Sequence, residues 1–234
     1  MVDLKEFEQK AEELRVLGMK ISIGQDTVYE KYWDEDCRRN IYSASKSFTS
    51  CAVGFAVQEG LIDLDERLMD AFKEDIPNNP DENLKKATVK DLLTMTLGQE
   101  KGFLMGKQRP RMEEQNWVKA SLAIPFVYEP GTHFVYNNVG PYLAGILVQR
   151  RAGCDLLSYL TPRLLKPLGI RKTIWEVDPE GNTFGAGGLF LTVSELHKLG
   201  MFYLQNGCWN GKKLLSKEWI HESTRKQVEN NKNS

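Results

Sequence analysis

A serine and a lysine lie three residues apart where a helix is predicted to begin, in the stretch Ser43-Ala-Ser-Lys46. On a helix this spacing puts both side chains on one face, one turn apart. The first turn offers unpaired N–H groups and the positive end of the helix dipole, which favour an alkoxide at Ser43. The same dipole and partial burial favour neutral Lys46, which can then act as a base. The simpler alternative is a capping serine beside a solvated lysine.

A phenol and an amide form a second candidate pair at Tyr136-Asn-Asn138, directly after a predicted turn over residues 129–132. In extended or turn backbone, residues two apart can point the same way. Tyr136 is then able to share a proton with Ser43 or Lys46, while Asn138 holds a substrate carbonyl. The alternative is a core tyrosine followed by an asparagine that caps the next helix.

Together, Ser43-x-x-Lys46 and Tyr136-x-Asn138 resemble the serine β-lactamase and penicillin-binding protein superfamily. The nearest pattern is its branch of class C β-lactamases, D-Ala carboxypeptidases and esterases. Further segments occur in the order that this family shows: IYSASKSFTS, AVQEGLIDLDE, KDLLTMTLG, EPGTHFVYNN, PRLLKPLGI, GAGGLFLTVSEL and NGKKLLS. The resemblance covers nearly the whole chain. It implies an α+β fold with a large helical part and an antiparallel sheet.

The resemblance also implies a role for each site residue. Ser43 is the acylated nucleophile, and its backbone N–H is one oxyanion donor. Lys46 is the base or proton relay, Tyr136 assists protonation of the leaving group, and Asn138 orients the acyl side of the substrate. The expected substrate is a small ester, amide or β-lactam, and no cofactor or metal is expected.

A third family motif is not found. In the family it is a Lys or His followed by a small residue and Gly, on a strand near the C-terminus. The chain reaches Ser234 roughly where those strands are expected to begin. We therefore expect a single domain over 1–234, C-terminally truncated, with an incomplete sheet. Gly185-Ala-Gly-Gly188 is interpreted as a loop near the site rather than as this motif. The alternative to an active hydrolase is a catalytically inactive fragment or ligand-binding module of the same fold.

The predicted elements place these motifs in three regions. Residues 1–40 hold a helix over 3–18 and a hairpin over 20–33, which belong to the sheet part. Residues 41–190 form the helical part with the motifs, including a helix from Ser43 to near Gly60 and helices over 88–95, 117–124, 138–151 and 156–165. Gly98 is expected to close the helix over 88–95. A short helical turn is predicted from Asp63, and 99–112 is predicted as a solvated loop. Residues 191–234 return to the sheet part through helices capped by Thr192 and Ser216, the last of which is expected to run to about Val228.

Composition argues against several other functions. The net charge of −1 lacks the basic excess of a nucleic-acid-binding protein. No apolar run is long enough to span a bilayer, and the N-terminal residues lack a signal-peptide pattern, so a cytoplasmic protein is expected; a removed leader stays open. The four cysteines are scattered and are expected to be reduced, without a metal. Exposed hairpin edges make a homodimer possible.

Overall fold

A computed structural model describes residues 4–230 of the chain. Helices dominate, and three small antiparallel two-stranded sheets accompany them. The helices are α1 (Lys5–Glu13), α2 (Ser45–Gln58), α3 (Leu68–Ala71), α4 (Glu82–Lys86), α5 (Val89–Thr94), α6 (Trp117–Leu122), α7 (Val139–Ala152), α8 (Leu156–Leu160), α9 (Val193–Leu204) and α10 (Lys217–Thr224). The strands are β1 (Gly18–Ile23), β2 (Asp26–Tyr32), β3 (Arg39–Asn40), β4 (Phe190–Leu191), β5 (Cys208–Trp209) and β6 (Lys212–Lys213). The helix-rich α+β prediction is therefore confirmed.

Helices α2 and α7 form the centre of the core and pack against each other. Every α7 residue from Val139 to Gln149 is buried. A helix that is apolar on all sides is typical of a protein interior. Gly140 lets α5 approach closely, because a Cβ at this position would overlap the carbonyl group of Leu92. The helical part thus provides a rigid support for side chains at the N-terminal ends of α2 and α7.

The predicted hairpin is present as β1 and β2 and is held from two sides. On α9, the Ser22 hydroxyl lies 3.0 Å from His197 Nε2, and the Tyr32 hydroxyl lies 2.8 Å from Ser194 Oγ. Tyr29 and Lys31 both donate hydrogen bonds to the carboxylate of Glu8 on α1. No third strand pairs with this hairpin within residues 4–230. The expectation of an incomplete sheet is consistent with this arrangement.

A short pairing that the sequence did not predict joins distant parts of the chain. β3 and β4 pair antiparallel, with Arg39 opposite Leu191 and Asn40 opposite Phe190. The Ile41 N–H extends the contact by donating to the carbonyl of Leu189 at 2.9 Å. The segment that leads into α2 is therefore fixed beside the glycine-rich loop over 185–188.

Several helix boundaries differ from the prediction. The helix predicted over 3–18, whose first residue lies outside the described residues, ends at Glu13. A turn closed by the Glu66 N–H and the Asp63 carbonyl at 3.3 Å forms at Asp63, but no helix follows it, because Leu64, Glu66 and Arg67 pair with residues 88–90, and α3 starts at Leu68. Helix α5 ends at Thr94, four residues before Gly98, since Met95 adopts a left-handed conformation with φ 56°. Helix α10 ends at Thr224, four residues before the predicted end at 228. Beyond it, Gln227 Nε2 donates to the Glu222 carbonyl at 2.6 Å and caps the helix end. The predicted caps Thr88, Thr192 and Ser216 are confirmed.

None of the helices between residues 4 and 230 is long and apolar enough to cross a membrane. All four cysteines are free thiols, and only Cys51 is buried.

Candidate active site

Ser43 lies in a 3₁₀ turn, Tyr42–Ala44, immediately before α2 rather than inside its first turn. Tyr42 has a left-handed backbone, with φ 46°, which is uncommon for a residue other than glycine. Its N–H donates to Asn40 Oδ1 at 2.7 Å, and its carbonyl accepts from Ser45 Oγ at 2.6 Å. Ser45 Oγ also accepts from the Leu189 N–H at 3.1 Å. The turn is therefore fixed from both sides and presents an exposed Ser43 hydroxyl.

Lys46 points its amine at Ser43 and makes three hydrogen bonds. Nζ donates to Ser43 Oγ at 3.0 Å, to Asn138 Oδ1 at 2.8 Å and to the Ala186 carbonyl at 2.6 Å. An ammonium group has three donors, so these contacts use all of them. Lys46 thereby joins α2, the start of α7 and the 185–188 loop at one point.

Burial and, to a smaller extent, the positive charge of Arg109 together lower the pKa of Lys46 from 10.5 to about 8. The sequence had suggested burial together with the helix dipole as the cause. Burial is the larger effect here, and the contribution of a second cation was not foreseen. A lysine whose pKa is near neutrality is a group that can accept a proton at moderate pH.

Tyr136 completes a triangle around the serine oxygen. Its hydroxyl donates to Ser43 Oγ at 2.7 Å, and its ring centre lies 5.3 Å from Lys46 Nζ. The side chain is 42% exposed, so solvent and small molecules can reach it. The amine and the phenol that the sequence singled out are thus each brought within hydrogen-bond distance of the Ser43 hydroxyl.

Asn138 is buried, with 8% exposure, at the residue before α7. Oδ1 accepts from Lys46, and Nδ2 donates to the Leu104 carbonyl at 2.9 Å. The Asn138 main-chain N–H also donates to the Phe103 carbonyl at 3.2 Å. The amide is therefore held at both ends by the protein, and Nδ2 retains one further hydrogen for another acceptor.

The glycine-rich segment over 185–188 is a loop beside these residues, as predicted. Thr49 Oγ1 donates to the Gly185 carbonyl at 2.6 Å, and Trp175 Nε1 donates to the Gly187 carbonyl at 2.8 Å. Gly188 has φ 82°, a conformation that glycine adopts without steric cost. The loop is thereby fixed so that the Ala186 carbonyl faces Lys46.

The prediction of a solvated loop over 99–112 is wrong at three positions. Gln99 is fully buried, and its Nε2 donates to the Ser121 carbonyl at 2.9 Å. Leu104 is fully buried and supports Asn138 through its carbonyl. Arg109 turns inward, with its guanidinium stacked on the Phe184 ring at 4.3 Å, whereas Arg111 is exposed as expected. The apolar pair before Met105 was the only sequence signal that part of this segment enters the core.

Sequence reasoning also missed Ser45 and Thr49 as supporting residues. They lie four apart on α2, so they share a face, and both hydroxyls contact the segment over residues 185–189. The run of serines and threonines after Asn40 contained this spacing, but no partner was visible without the fold.

The remaining candidates for chemistry lie elsewhere. The His133 ring stacks on Tyr128 at 4.2 Å, and His197 contacts the hairpin. No group of three or more His, Cys, Asp or Glu side chains suited to a metal ion occurs in the part of the chain that the structure describes.

Comparison with known proteins places this geometry in a family. The fold is similar to that of an octameric penicillin-binding protein homologue from Pyrococcus abyssi, with a TM-score of 0.74 and 22% identity, over 94% of this chain and 59% of that chain. The family model described as Beta-lactamase matches residues 5–234, and the chain belongs to this family.

Two curated relatives share more sequence over a shorter stretch. A monacolin J acid methylbutanoyltransferase from Aspergillus terreus is 31% identical over 157 residues, which are 58% of this chain and 37% of the relative. A lovastatin esterase from Penicillium rubens is 31% identical over 150 residues, 55% of this chain and 37% of the relative. The matched stretches thus span well under two thirds of the length of these relatives.

Proposed function

We propose that this chain carries the acyl-enzyme site of a serine hydrolase that acts on a small ester or amide. The observation that supports it is the convergence of two hydrogen-bond partners on one exposed hydroxyl, with Lys46 Nζ at 3.0 Å and the Tyr136 hydroxyl at 2.7 Å from Ser43 Oγ. A serine is a weak nucleophile until an adjacent base takes its proton. Both partners here are groups that can hold or pass that proton.

The proposed first step forms the Ser43 ester. Neutral Lys46 accepts the Ser43 proton while Oγ attacks the substrate carbonyl carbon, and the carbonyl oxygen becomes an oxyanion near the Ser43 backbone N–H. The carbon–oxygen or carbon–nitrogen bond to the leaving group then breaks. Tyr136 passes a proton to that group and regains one from Lys46, so that the protons balance.

The proposed second step releases the acyl group. Water, or an alcohol in a transfer reaction, attacks the Ser43 ester and gives its proton to the neutral Lys46–Tyr136 pair. Ser43 Oγ leaves and takes a proton back. Asn138 fixes the position of Lys46 throughout through the 2.8 Å hydrogen bond to its amine.

The names of the two curated relatives favour acyl compounds, esters among them, as the substrate class. One is called an esterase and the other a methylbutanoyltransferase, so one name describes ester cleavage and the other the transfer of an acyl group. A β-lactam is the alternative acyl donor that the family name suggests. The acyl acceptor, water or a second alcohol, separates hydrolysis from transfer.

The test is covalent capture of Ser43. The purified chain is incubated with a fluorophosphonate, p-nitrophenyl butyrate or benzylpenicillin, and intact-mass and peptide mass spectrometry locate the adduct. We expect one phosphonyl group on Ser43, no adduct in Ser43→Ala, and normal labelling in Ser47→Ala, which changes an exposed serine in the first turn of α2. A folded chain that is never labelled would instead support a non-catalytic binding module, and labelling that persists in Ser43→Ala would refute the assignment.

A homodimer is a separate proposal that rests on the hairpin. Within residues 4–230, each of β1 and β2 pairs only with the other, which leaves one edge of each strand without a partner strand. Such edges can pair with a second copy. Light scattering on the purified chain tests it, and a monomer at all concentrations would reject it.

A further inference from the structure

Arg109 packs against the segment that carries the Ala186 carbonyl bonded to Lys46, although it belongs to the most basic stretch of the chain. Its guanidinium stacks on Phe184 at 4.3 Å, and Nη1 donates to Glu176 Oε2 at 3.2 Å. The side chain is 25% exposed. An arginine that is both stacked and paired is held in one orientation, unlike a lysine on a solvated loop.

A chain of hydrogen bonds connects Arg109 to the turn before Ser43. Glu176 Oε1 accepts from Asn40 Nδ2 at 3.1 Å, and Asn40 Oδ1 accepts from the Tyr42 N–H at 2.7 Å. Glu176 itself is held over Gly188, where a Cβ would overlap its side chain. The Arg109–Glu176 pair therefore fixes Asn40, and Asn40 fixes the left-handed Tyr42.

Arg109 and Lys46 are also anchored to one short segment. Lys46 Nζ donates to the Ala186 carbonyl, and Arg109 covers the ring of Phe184 two residues earlier. Two cations held near each other disfavour the charged form of the one that can lose its proton.

The other charged or titratable groups around Lys46 do not offset this effect. Tyr136 is bonded to Ser43. Lys90 and Glu222 line the cavity behind Lys46, but Glu222 is bonded to Arg225 at 2.6 Å and lies 3.9 Å from Lys90, so this cluster has no net negative charge that could offset Arg109. Glu176 lies next to Arg109 and only partly neutralises it.

We propose that Arg109 is a positioning residue of the Ser43–Lys46 site. Its charge favours neutral Lys46, and its pair with Glu176 holds the turn that presents the Ser43 hydroxyl. The inference rests on the proposed function, because it assigns Arg109 a role through the base of that reaction.

The test measures the protonation of Lys46 directly, without turnover. The full chain is labelled with lysine carrying carbon-13 at Cε, and the Lys46 signal is assigned by its loss in Lys46→Met. NMR spectra from pH 6 to 11 then give the midpoint of the Lys46 titration. For the wild type we expect a midpoint of about 8. In Arg109→Met it should rise by roughly 0.3 to 1 pH unit, since a like charge has been removed. Arg109→Lys, which keeps the charge, should restore it.

Two further variants make the test discriminating. Arg111→Met removes an exposed charge from the same stretch and should leave the midpoint unchanged. Glu176→Gln leaves Arg109 without its counter-charge and should move the midpoint down, the opposite sign to Arg109→Met. An unchanged Lys46 midpoint in both Arg109→Met and Glu176→Gln, with either variant folded, would overturn the inference.

Fluorophosphonate labelling of Ser43 separates this inference from the proposed function. If the wild type is never labelled while the NMR midpoints move as expected, the proposed function fails and the charge effect stands. If the wild type is labelled but the midpoints do not respond to either substitution, the inference on Arg109 fails alone.

Discussion

The reaction of Ser43 should depend on pH in a way that the burial of Lys46 sets. With a pKa of about 8 for Lys46, about a tenth of the amine is neutral at pH 7 and about nine tenths at pH 9. The rate of fluorophosphonate labelling should therefore rise roughly tenfold between these values and then level off. With an ordinary lysine pKa of about 10.5, the rise over the same interval would be about a hundredfold, without a plateau before pH 10.

Labelling rates at a single reagent concentration, measured by intact mass every half pH unit from 6 to 10, resolve these two curves. Lys46→Met should lower the plateau rate about 10²- to 10⁴-fold, the usual contribution of a general base, and remove the midpoint near 8. Ser47→Ala, next to Lys46 on α2, is the control for a substitution that leaves Ser43 and Lys46 in place. A wild-type rate that is flat across this range, or that keeps rising in proportion to hydroxide, would refute the role of Lys46 as the base.

Three further outcomes follow from the same contacts. On lowering the pH from 10.5 to 6.5, the wild type should lose ~1–2 kcal/mol of unfolding free energy relative to Lys46→Met in urea unfolding, a value discounted for partial exposure. The folded-state pKa is below 10.5, so the wild type is penalised fully below about 8 and not above 10.5, whereas the three hydrogen bonds that the variant loses add a constant offset. Tyr136→Phe should slow Ser43 labelling at least about 10-fold with no loss of thermal stability, since the phenol is exposed; an unchanged rate would exclude it from proton transfer. Gly188→Ala should lower the free energy of unfolding by ~1–3 kcal/mol, because φ is 82° and the Cβ would overlap Glu176, while Gly106→Ala, with open space around it, should cost little; equal effects would contradict this account.

The contact between Ser43 and Lys46 could be predicted because it is local. Three residues along a helix set the distance between the two side chains, whatever the rest of the fold does. Tyr136 and Asn138 entered the prediction through their spacing and their resemblance to family motifs. Helices α2 and α7 were predicted from their apolar runs, and α9 was predicted from its apolar pattern and the Thr192 cap.

The supporting contacts could not be predicted because they join segments with no pattern of their own. Arg109 and Glu176 are 67 positions apart, and Asn40 and Glu176 are 136 apart. The two-residue strands β3 and β4 are too short to show alternation. The composition of 99–112 is that of a surface loop. It gave no sign that Leu104 is buried and that its carbonyl accepts a hydrogen bond from Asn138.

Tertiary bonding also explains the boundaries that were wrong. Extended pairing of residues 64–67 with 88–90 competes with a helix at Asp63, and it uses backbone groups that a helix would need. Met95 closes α5 in the left-handed conformation that Gly98 was expected to provide. Neither choice is visible in local propensity, which tertiary contacts commonly override.

The span along the chain between the partners of Ser43 has a practical consequence for work on this molecule. Tyr136 reaches the serine across 93 positions, and the Ala186 carbonyl reaches Lys46 across 140. No peptide or folding intermediate that lacks one of these segments can assemble the constellation. If Ser43 reacts as proposed, a stoichiometric serine reagent will report the fraction of molecules that have acquired their native long-range contacts, and it will then serve as a count of correctly folded chains in refolding or expression trials.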